Sequence, residues 1–190
     1  MMKKLLTTFL LLMMMSGLSA QNTLPATAQC VSDDGQRKLY LNLERKATED
    51  DPANVMSVWL TENGRTTKLL TTNPSAEGAW SRMTGGNAAS VDIRQIATAD
   101  KAIFIPYDQN LIYLEGCPDA RNVYSYILNI STNTAIQLPS NAGVAGLVGE
   151  DETYIVMQSY RYDYENGGRY SVLQVYDLNG QFFKELSLQK

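Results

Sequence analysis

The feature that most narrows the folds open to this chain is an Asn-Gly dipeptide set between alternating apolar runs, at Asn63-Gly64 and at Asn179-Gly180. Both central residues of a tight type I′ turn need positive φ, which asparagine and glycine tolerate best, so each dipeptide predicts a β-hairpin. The two hairpins align without a gap. Val58-Trp59-Leu60-Thr61-Glu62-Asn63-Gly64-Arg65-Thr66-Thr67-Lys68-Leu69-Leu70 lies over Gln174-Val175-Tyr176-Asp177-Leu178-Asn179-Gly180-Gln181-Phe182-Phe183-Lys184-Glu185-Leu186. Each pairs an aromatic-containing strand with a returning apolar strand that carries a lysine. A looser echo runs from Val123 to Leu138 around Asn133.

Taken in order, the chain reads as strand after strand. Leu39, Leu41 and Leu43 alternate with polar residues; Val55–Leu60 and Thr66–Thr71 flank the first Asn-Gly. Val91 to Gln95 alternates once more, and a short strand is expected near Trp80–Met83. Ala102–Ile105, Leu111–Leu114, Val123–Ile130 and Thr134–Leu138 form one set of four; Val144–Val148, Tyr154–Arg161, Tyr170–Leu178 and Phe182–Leu188 form another. No segment sustains the 3.6-residue period of a helix. The expected fold class is all-β, built from antiparallel four-stranded meanders.

Two such meanders, with turns about 46 residues apart at Asn133 and Asn179, have the spacing of a propeller blade. The phrase Tyr176-Asp177-Leu178-Asn179-Gly180 resembles the outer hairpin of a blade. The chain therefore resembles β-propeller proteins over Ala102 to Leu188 and more loosely over Leu39 to Thr72, which implies a shape and no activity. A closed ring needs at least four blades. Three are legible, the first without an opening strand, and Trp80 to Gln95 offers part of a fourth. A partial or small propeller is expected, with a β-sandwich or barrel as the alternative. Apolar residues on both faces of one strand, Ile155 and Met157 against Val156 and Tyr160, predict sheets covered on two sides.

Residues 1–20 read as a signal peptide: Lys3 and Lys4 precede the apolar run Leu5–Met15, and Leu18-Ser19-Ala20 supplies small residues before a cleavage site. That run is too short to span a bilayer. Residues 21–36 are expected to be an extended arm and residues 37–190 a single all-β domain. Export would be to a periplasm or outside the cell. Without Lys3 and Lys4 the chain keeps 14 basic and 20 acidic residues, a net charge of −6. No basic cluster interrupts that balance, so neither nucleic acid nor an anionic membrane is an expected partner. The only cysteines, Cys30 and Cys117, would meet an oxidising compartment, and an even count there predicts a disulfide between them.

The chain contains no histidine, which removes histidine bases, triads and zinc ligands. The spacing of Gly143, Gly146 and Gly149 does not fit a dinucleotide loop. Acidic segments at Asp33-Asp34, Glu49-Asp50-Asp51 and Glu150-Asp151-Glu152 fall in loops, where charged turns keep a surface soluble. Asp33-Asp34-Gly35 and Asp163 to Gly167 place oxygens near glycine turns, yet neither matches a twelve-residue calcium loop. No catalytic residue, metal site or cofactor is assigned.

The most distinctive patch is the ribbon of Tyr160, Arg161, Tyr162, Asp163, Tyr164, Arg169 and Tyr170. Alternation puts Tyr160, Tyr162 and Tyr164 on one face and Arg161 and Asp163 on the other. A two-residue turn at Asn166-Gly167 would set Tyr164 opposite Arg169 and Asp163 opposite Tyr170. Tyrosine with arginine is the composition of recognition surfaces, because tyrosine gives wide contact at small entropy cost. The same tyrosines could equally form a cross-strand ladder that only steadies the hairpin. The expected function is non-catalytic binding of a protein or carbohydrate partner through this ribbon. The alternatives are a carboxylate-dependent hydrolase of an envelope polymer, or a structural protein that assembles with copies of itself.

Overall fold

The computed structural model describes residues 24–25, 27–50, 53–76, 88–106, 108–117, 123–139, 143–148 and 154–188. The signal peptide, the strand expected near Trp80–Met83, Asp51 and the acidic turn 149–152 lie outside these residues. The first hairpin forms as the Asn-Gly rule predicts. Strand β3 (Val55–Glu62) turns at Asn63 (φ 50°) and Gly64 (φ 74°) into β4 (Arg65–Thr71), with Glu62 facing Arg65. Strand β2 (Arg37–Arg45) pairs with the other edge of β3, and a two-residue strand β1 (Cys30–Val31) pairs with β2 at Leu39 and Lys38. Part of the segment read as an extended arm is therefore the opening strand of a four-stranded sheet.

The second sheet holds β6 (Lys101–Ile105), β7 (Asp108–Gly116), β8 (Tyr124–Asn129) and β9 (Thr134–Gln137) as a meander. A short strand β5 (Ala89–Val91) is added on the outer side of β9. The sequence alternation from Val91 to Gln95 does not continue this strand. Asp92 accepts the Arg94 N–H on its carboxylate at 2.8 Å and starts a 3-10 turn over Ile93–Gln95. Nor does Ala89–Gln95 contribute to a fourth blade, since its one strand belongs to the second sheet. The third sheet runs β10 (Gly143–Val148), β11 (Tyr154–Tyr162), β12 (Arg169–Tyr176) and β13 (Phe182–Ser187) in chain order. The described chain is thus all-β, three antiparallel meanders in the manner of propeller blades.

The sheets stack face to face, and the middle one explains why its strands read as unbroken apolar runs. Along β7, Ile112 and Leu114 enter one core while Leu111 and Tyr113 enter the other. Along β8, Tyr126 and Leu128 alternate with Ile127 in the same way. The first core joins the first and second sheets, with Leu39, Val58, Leu60 and Leu70 set against Ile96, Ala102 and Phe104. The second joins the second and third sheets through Ile105, Leu138, Ile155, Met157 and Tyr176. Burial of this apolar area is the dominant force holding the stack together.

Two contacts pin the sheets at their turns. Arg37 at the start of β2 donates to the Gln109 carbonyl oxygen at 3.0 Å, tying the first sheet to the second. The β12–β13 turn docks on the second sheet, where the Gly180 carbonyl oxygen accepts the Ala88 N–H at 3.1 Å. A Cβ at Gly180 would lie 2.3 Å from the Ala88 Cβ and 2.8 Å from Ile136 Cδ1, so that close approach requires glycine. This turn is not the tight type I′ form expected from Asn179-Gly180. Of the two residues Gly180 alone has positive φ, and Asp177 receives the N–H groups of Asn179 and Gln181 on its side chain. The Gly180 N–H bonds the Asp177 carbonyl, which makes a three-residue loop closed by glycine.

The expected Cys30–Cys117 disulfide is not formed. Cys30 sits in β1 opposite Leu39, packed on the first core, whereas Cys117 is exposed just beyond β7, its N–H bonded to Asp100. Pairing of β1 with β2, rather than a covalent bridge, holds the N-terminal segment.

Candidate functional site

The tyrosine ribbon is the far end of the β11–β12 hairpin, beyond the region where the third sheet packs on the second. Its register differs from the two-residue-turn reading. Tyr162 faces Arg169 and Arg161 faces Tyr170, so residues 163–168 form a longer loop. The cause is Asp163. Its carboxylate accepts the N–H groups of Glu165 at 3.1 Å and Asn166 at 3.0 Å, while its own N–H bonds the Gly168 carbonyl oxygen. Gly167 and Gly168, at φ 74° and 104°, complete the reversal. With its second oxygen bonded to the Asn166 side chain, Asp163 is committed to shaping the loop.

The seven ribbon residues divide between two faces. Tyr160, Tyr162 and Arg169 stand on the outward face, and Tyr164 leans from the loop onto Tyr162 with ring centroids 6.3 Å apart. The Arg169 guanidinium lies over the Tyr162 ring, 4.9 Å from its centroid. Tyr162 thus touches both a cation and a second ring, yet it is 56% exposed and Tyr164 92%. Arg161 and Tyr170 lie on the opposite face. There Arg161 pairs with Glu185 of β13 at 2.6 Å, and Glu185 also accepts a hydrogen bond from Gln174. Gln174 in turn accepts the Tyr176 hydroxyl at 3.4 Å. Burial pushes the Tyr176 phenol up to about 12 despite the opposing pull of Arg161.

The outward face also carries residues that sequence reasoning passed over. Below Tyr160, the same face of the third sheet presents Val148, Tyr154, Val156, Leu173, Phe183 and Leu186 around a trough of about 500 Å³. Phe183 is 61% and Leu186 46% exposed. The alternation noted in β11 was the available signal, because both of its rows are apolar. It predicts two covered faces, and the structure covers one: Ile155 and Met157 are fully buried, whereas Val156 is half-buried and Tyr160 exposed. Among the described residues, the trough on the outward row is lined by the third sheet alone.

The opposite end of the stack is built otherwise. On the outward face of the first sheet, Lys68 lies 4.9 Å over the Trp59 ring and 2.9 Å from the Glu44 carboxylate. Trp59 donates its Nε1–H to the Ser57 hydroxyl at 2.7 Å. Ser57 and Lys68 hold the Glu44 carboxyl below its usual range, the serine hydrogen bond contributing most. This face is polar and internally paired.

Of the acidic segments singled out from the sequence, Asp51 and Glu150-Asp151-Glu152 lie outside the described residues. Asp34 accepts hydrogen bonds from the Ser32 hydroxyl and the Gln36 N–H inside its own turn. Among the described residues, no three acidic or cysteine side chains are grouped to hold a metal ion, and no helix is long and apolar enough to cross a membrane.

No protein-family model matches the chain, and no curated protein matches it. Among solved structures it is similar to the β-propeller domain of the Trilobed protease from Pyrococcus furiosus, which is described as having an open velcro topology. The likeness has 11% sequence identity and a TM-score of 0.46, and it covers 84% of this chain and 42% of that one. The chain thus spans less than half the length of that neighbour.

Proposed function

We propose that this chain is an exported, non-catalytic recognition protein that holds a protein or glycan partner on the outward side of the β11–β12 ribbon. The observation that carries this reading is the cluster of Arg169, Tyr162 and Tyr164: three exposed groups in contact through the Tyr162 ring. Ordering side chains before a partner arrives lowers the entropy lost on binding. A tyrosine ring edged by a guanidinium suits the flat face of a sugar or an aromatic or carboxylate-bearing peptide. Asp163, Arg161 and Tyr170 support the ribbon from behind rather than touching the partner. Asp34, Asp92, Asp108, Asp163 and Asp177 each accept N–H groups of their own turns, which favours binding over carboxylate chemistry.

The test replaces Tyr162 and Tyr164 with serine and compares retention of the purified chain on immobilised neutral and acidic glycans and on the exported proteins of its host. Loss of two aromatic anchors worth about 2 kcal/mol each should weaken retention by on the order of 1,000-fold. The melting temperature should move by only a few degrees. Retention that survives both substitutions would reduce the ribbon to a cross-strand ladder.

A further inference from the structure

We propose that the group read by the ribbon is a carboxylate carried on a sugar ring, so that its partner is a glycan built from hexuronate units. Arg169 takes the carboxylate, Tyr160 and Tyr164 take the sugar faces, and Tyr162 holds the guanidinium in place. The site is the one proposed above, and the assignment of its ligand rests on that reading.

Arg169 is a cation left without an acid in a chain where acidic residues outnumber basic ones. Arg37 meets Glu62, Lys68 meets Glu44, Arg94 meets Asp92, and Arg161, its neighbour on the other face, meets Glu185. The Arg169 guanidinium meets the Tyr162 ring opposite it and, among the described residues, no carboxylate. The loop beside it supplies none, because both Asp163 oxygens are taken by N–H groups of Glu165 and Asn166. A guanidinium resting on a ring keeps its N–H donors for a planar anion, and a carboxylate accepts two of them in parallel. The ring contact also fixes the long side chain, so less freedom is lost when the anion arrives.

The rings around Arg169 form a row whose hydroxyls are open. Tyr160 and Tyr162 lie two residues apart on one face of β11, about 7 Å along the strand. The Tyr164 ring follows at 6.3 Å from Tyr162. Buried tyrosines of this chain bond their hydroxyls internally, Tyr113 to Ser125 and Tyr126 to the Ala97 N–H. No described residue bonds the hydroxyls of Tyr160, Tyr162 or Tyr164. Such a row offers apolar faces to the C–H side of successive sugar rings and hydroxyls to their edges. The carboxylate of a hexuronate projects from the ring edge, so a ring lying on Tyr164 can turn it toward the guanidinium beside it. A protein partner fits this surface less well. β10 last pairs at Gln158 and β13 at Val172, so the ribbon beyond them is two described strands wide, about 5 Å from backbone to backbone. A strip that narrow falls short of the roughly 800 Å² a side that stable protein interfaces bury, whereas a glycan needs only one row.

Affinity electrophoresis in polygalacturonate, polymannuronate and hyaluronan, each run beside its carboxyl methyl ester, tests this. The esters keep the sugar rings and remove the charge. At least one acid form should bind on the order of 30-fold more tightly than its ester. Arg169→Gln should abolish that preference by weakening the acid form alone, and Arg169→Lys, which keeps the charge without the fork, should restore only part of it. Tyr164→Ser should weaken acid and ester by the same factor. Arg169 and Tyr164 are exposed, so these variants should keep the parent's melting temperature. Lys184→Gln, which removes an exposed cation on the same face outside the ribbon, should leave the preference intact. Acid and ester bound alike, a preference that survives Arg169→Gln or falls with Lys184→Gln, or no binding to any of the three acids overturns the assignment. If Tyr164→Ser still weakens retention of an ester, a neutral glycan or an exported protein of the host, the ribbon remains a recognition surface with a different ligand. Indifference of every ligand to joint replacement of Tyr162 and Tyr164 with serine overturns the recognition reading itself.

Discussion

The first and third sheets come from hairpins that align residue for residue in sequence, yet they meet solvent in opposite ways. In the first, Trp59 and Lys68 face outward as a cross-strand pair, and the ammonium covers the ring while bonding Glu44. In the third, the aligned positions are Val175 and Lys184, again opposite each other. Here no carboxylate among the described residues joins them on the outward face, and the lysine lies near Phe183 at the edge of an apolar trough. One acidic neighbour on β2 and one indole N–H on β3 separate a finished surface from an unfinished one. A repeat can thus keep its hairpin and inner face while its outer face changes role.

The largest expected effect tests whether the third sheet has one buried face or two. Met157 and Val156 are neighbours in β11 that point opposite ways. Met157→Ala should cost about 2–4 kcal/mol in urea denaturation because it leaves a cavity in the second core. Val156→Ala, measured on dilute protein, should cost less than about 1 kcal/mol. Equal costs would mean that the outward row is packed within a single copy. Next in size is Trp59→Ala on the finished face, expected to cost about 1–2 kcal/mol through lost ring area, the Lys68 contact and the Ser57 bond. It should leave sedimentation unchanged. A shift in association would show that the first sheet is an interface.

A smaller effect, set by pH, compares the inner faces. Burial pushes Tyr126 in the first core and Tyr176 in the second up to about 12. An unfolded tyrosine ionises near 10, so the folded state binds the proton more tightly. The stability from each is complete below pH 10 and falls as pH rises from 10 toward 12, by at most roughly 1.4 kcal/mol per pH unit per ring. Replacing either tyrosine with phenylalanine should flatten that slope by the same share. If only Tyr126→Phe does so, the Arg161–Glu185 edge admits water to Tyr176.

Much of the architecture was legible because local chemistry and the fold agree. Alternating leucines place β2, and Asn63-Gly64 forms the expected type I′ turn because both residues take positive φ. Where the reading failed, a side chain outside the pattern redirected the backbone. Asp92 stops a strand that alternation would continue, and Asp177 spreads the second Asn-Gly into a three-residue loop whose Gly180 docks on Ala88. Asp163 does the same at the ribbon and moves Arg169 opposite Tyr162. The cysteine count pointed to a bridge, but counting carries no distance: Cys30 lies in β1 of the first sheet and Cys117 just beyond β7 of the second. The residues of the ribbon were visible as composition; the stack of Arg169 on Tyr162 was not, because it depends on register. The open face was hidden for another reason. Two apolar rows on a strand report that both faces want cover, and they do not say whether the same chain supplies it.

Oxidative footprinting of the aromatic rings in dilute protein, each normalised to the unfolded chain, tests the central contrast most directly. Phe183, 61% exposed on the third sheet, should keep most of its unfolded-state labelling, whereas Trp59, whose ring Lys68 covers on the first, should be protected. Equal protection of the two rings, or stronger protection of Phe183, would contradict this.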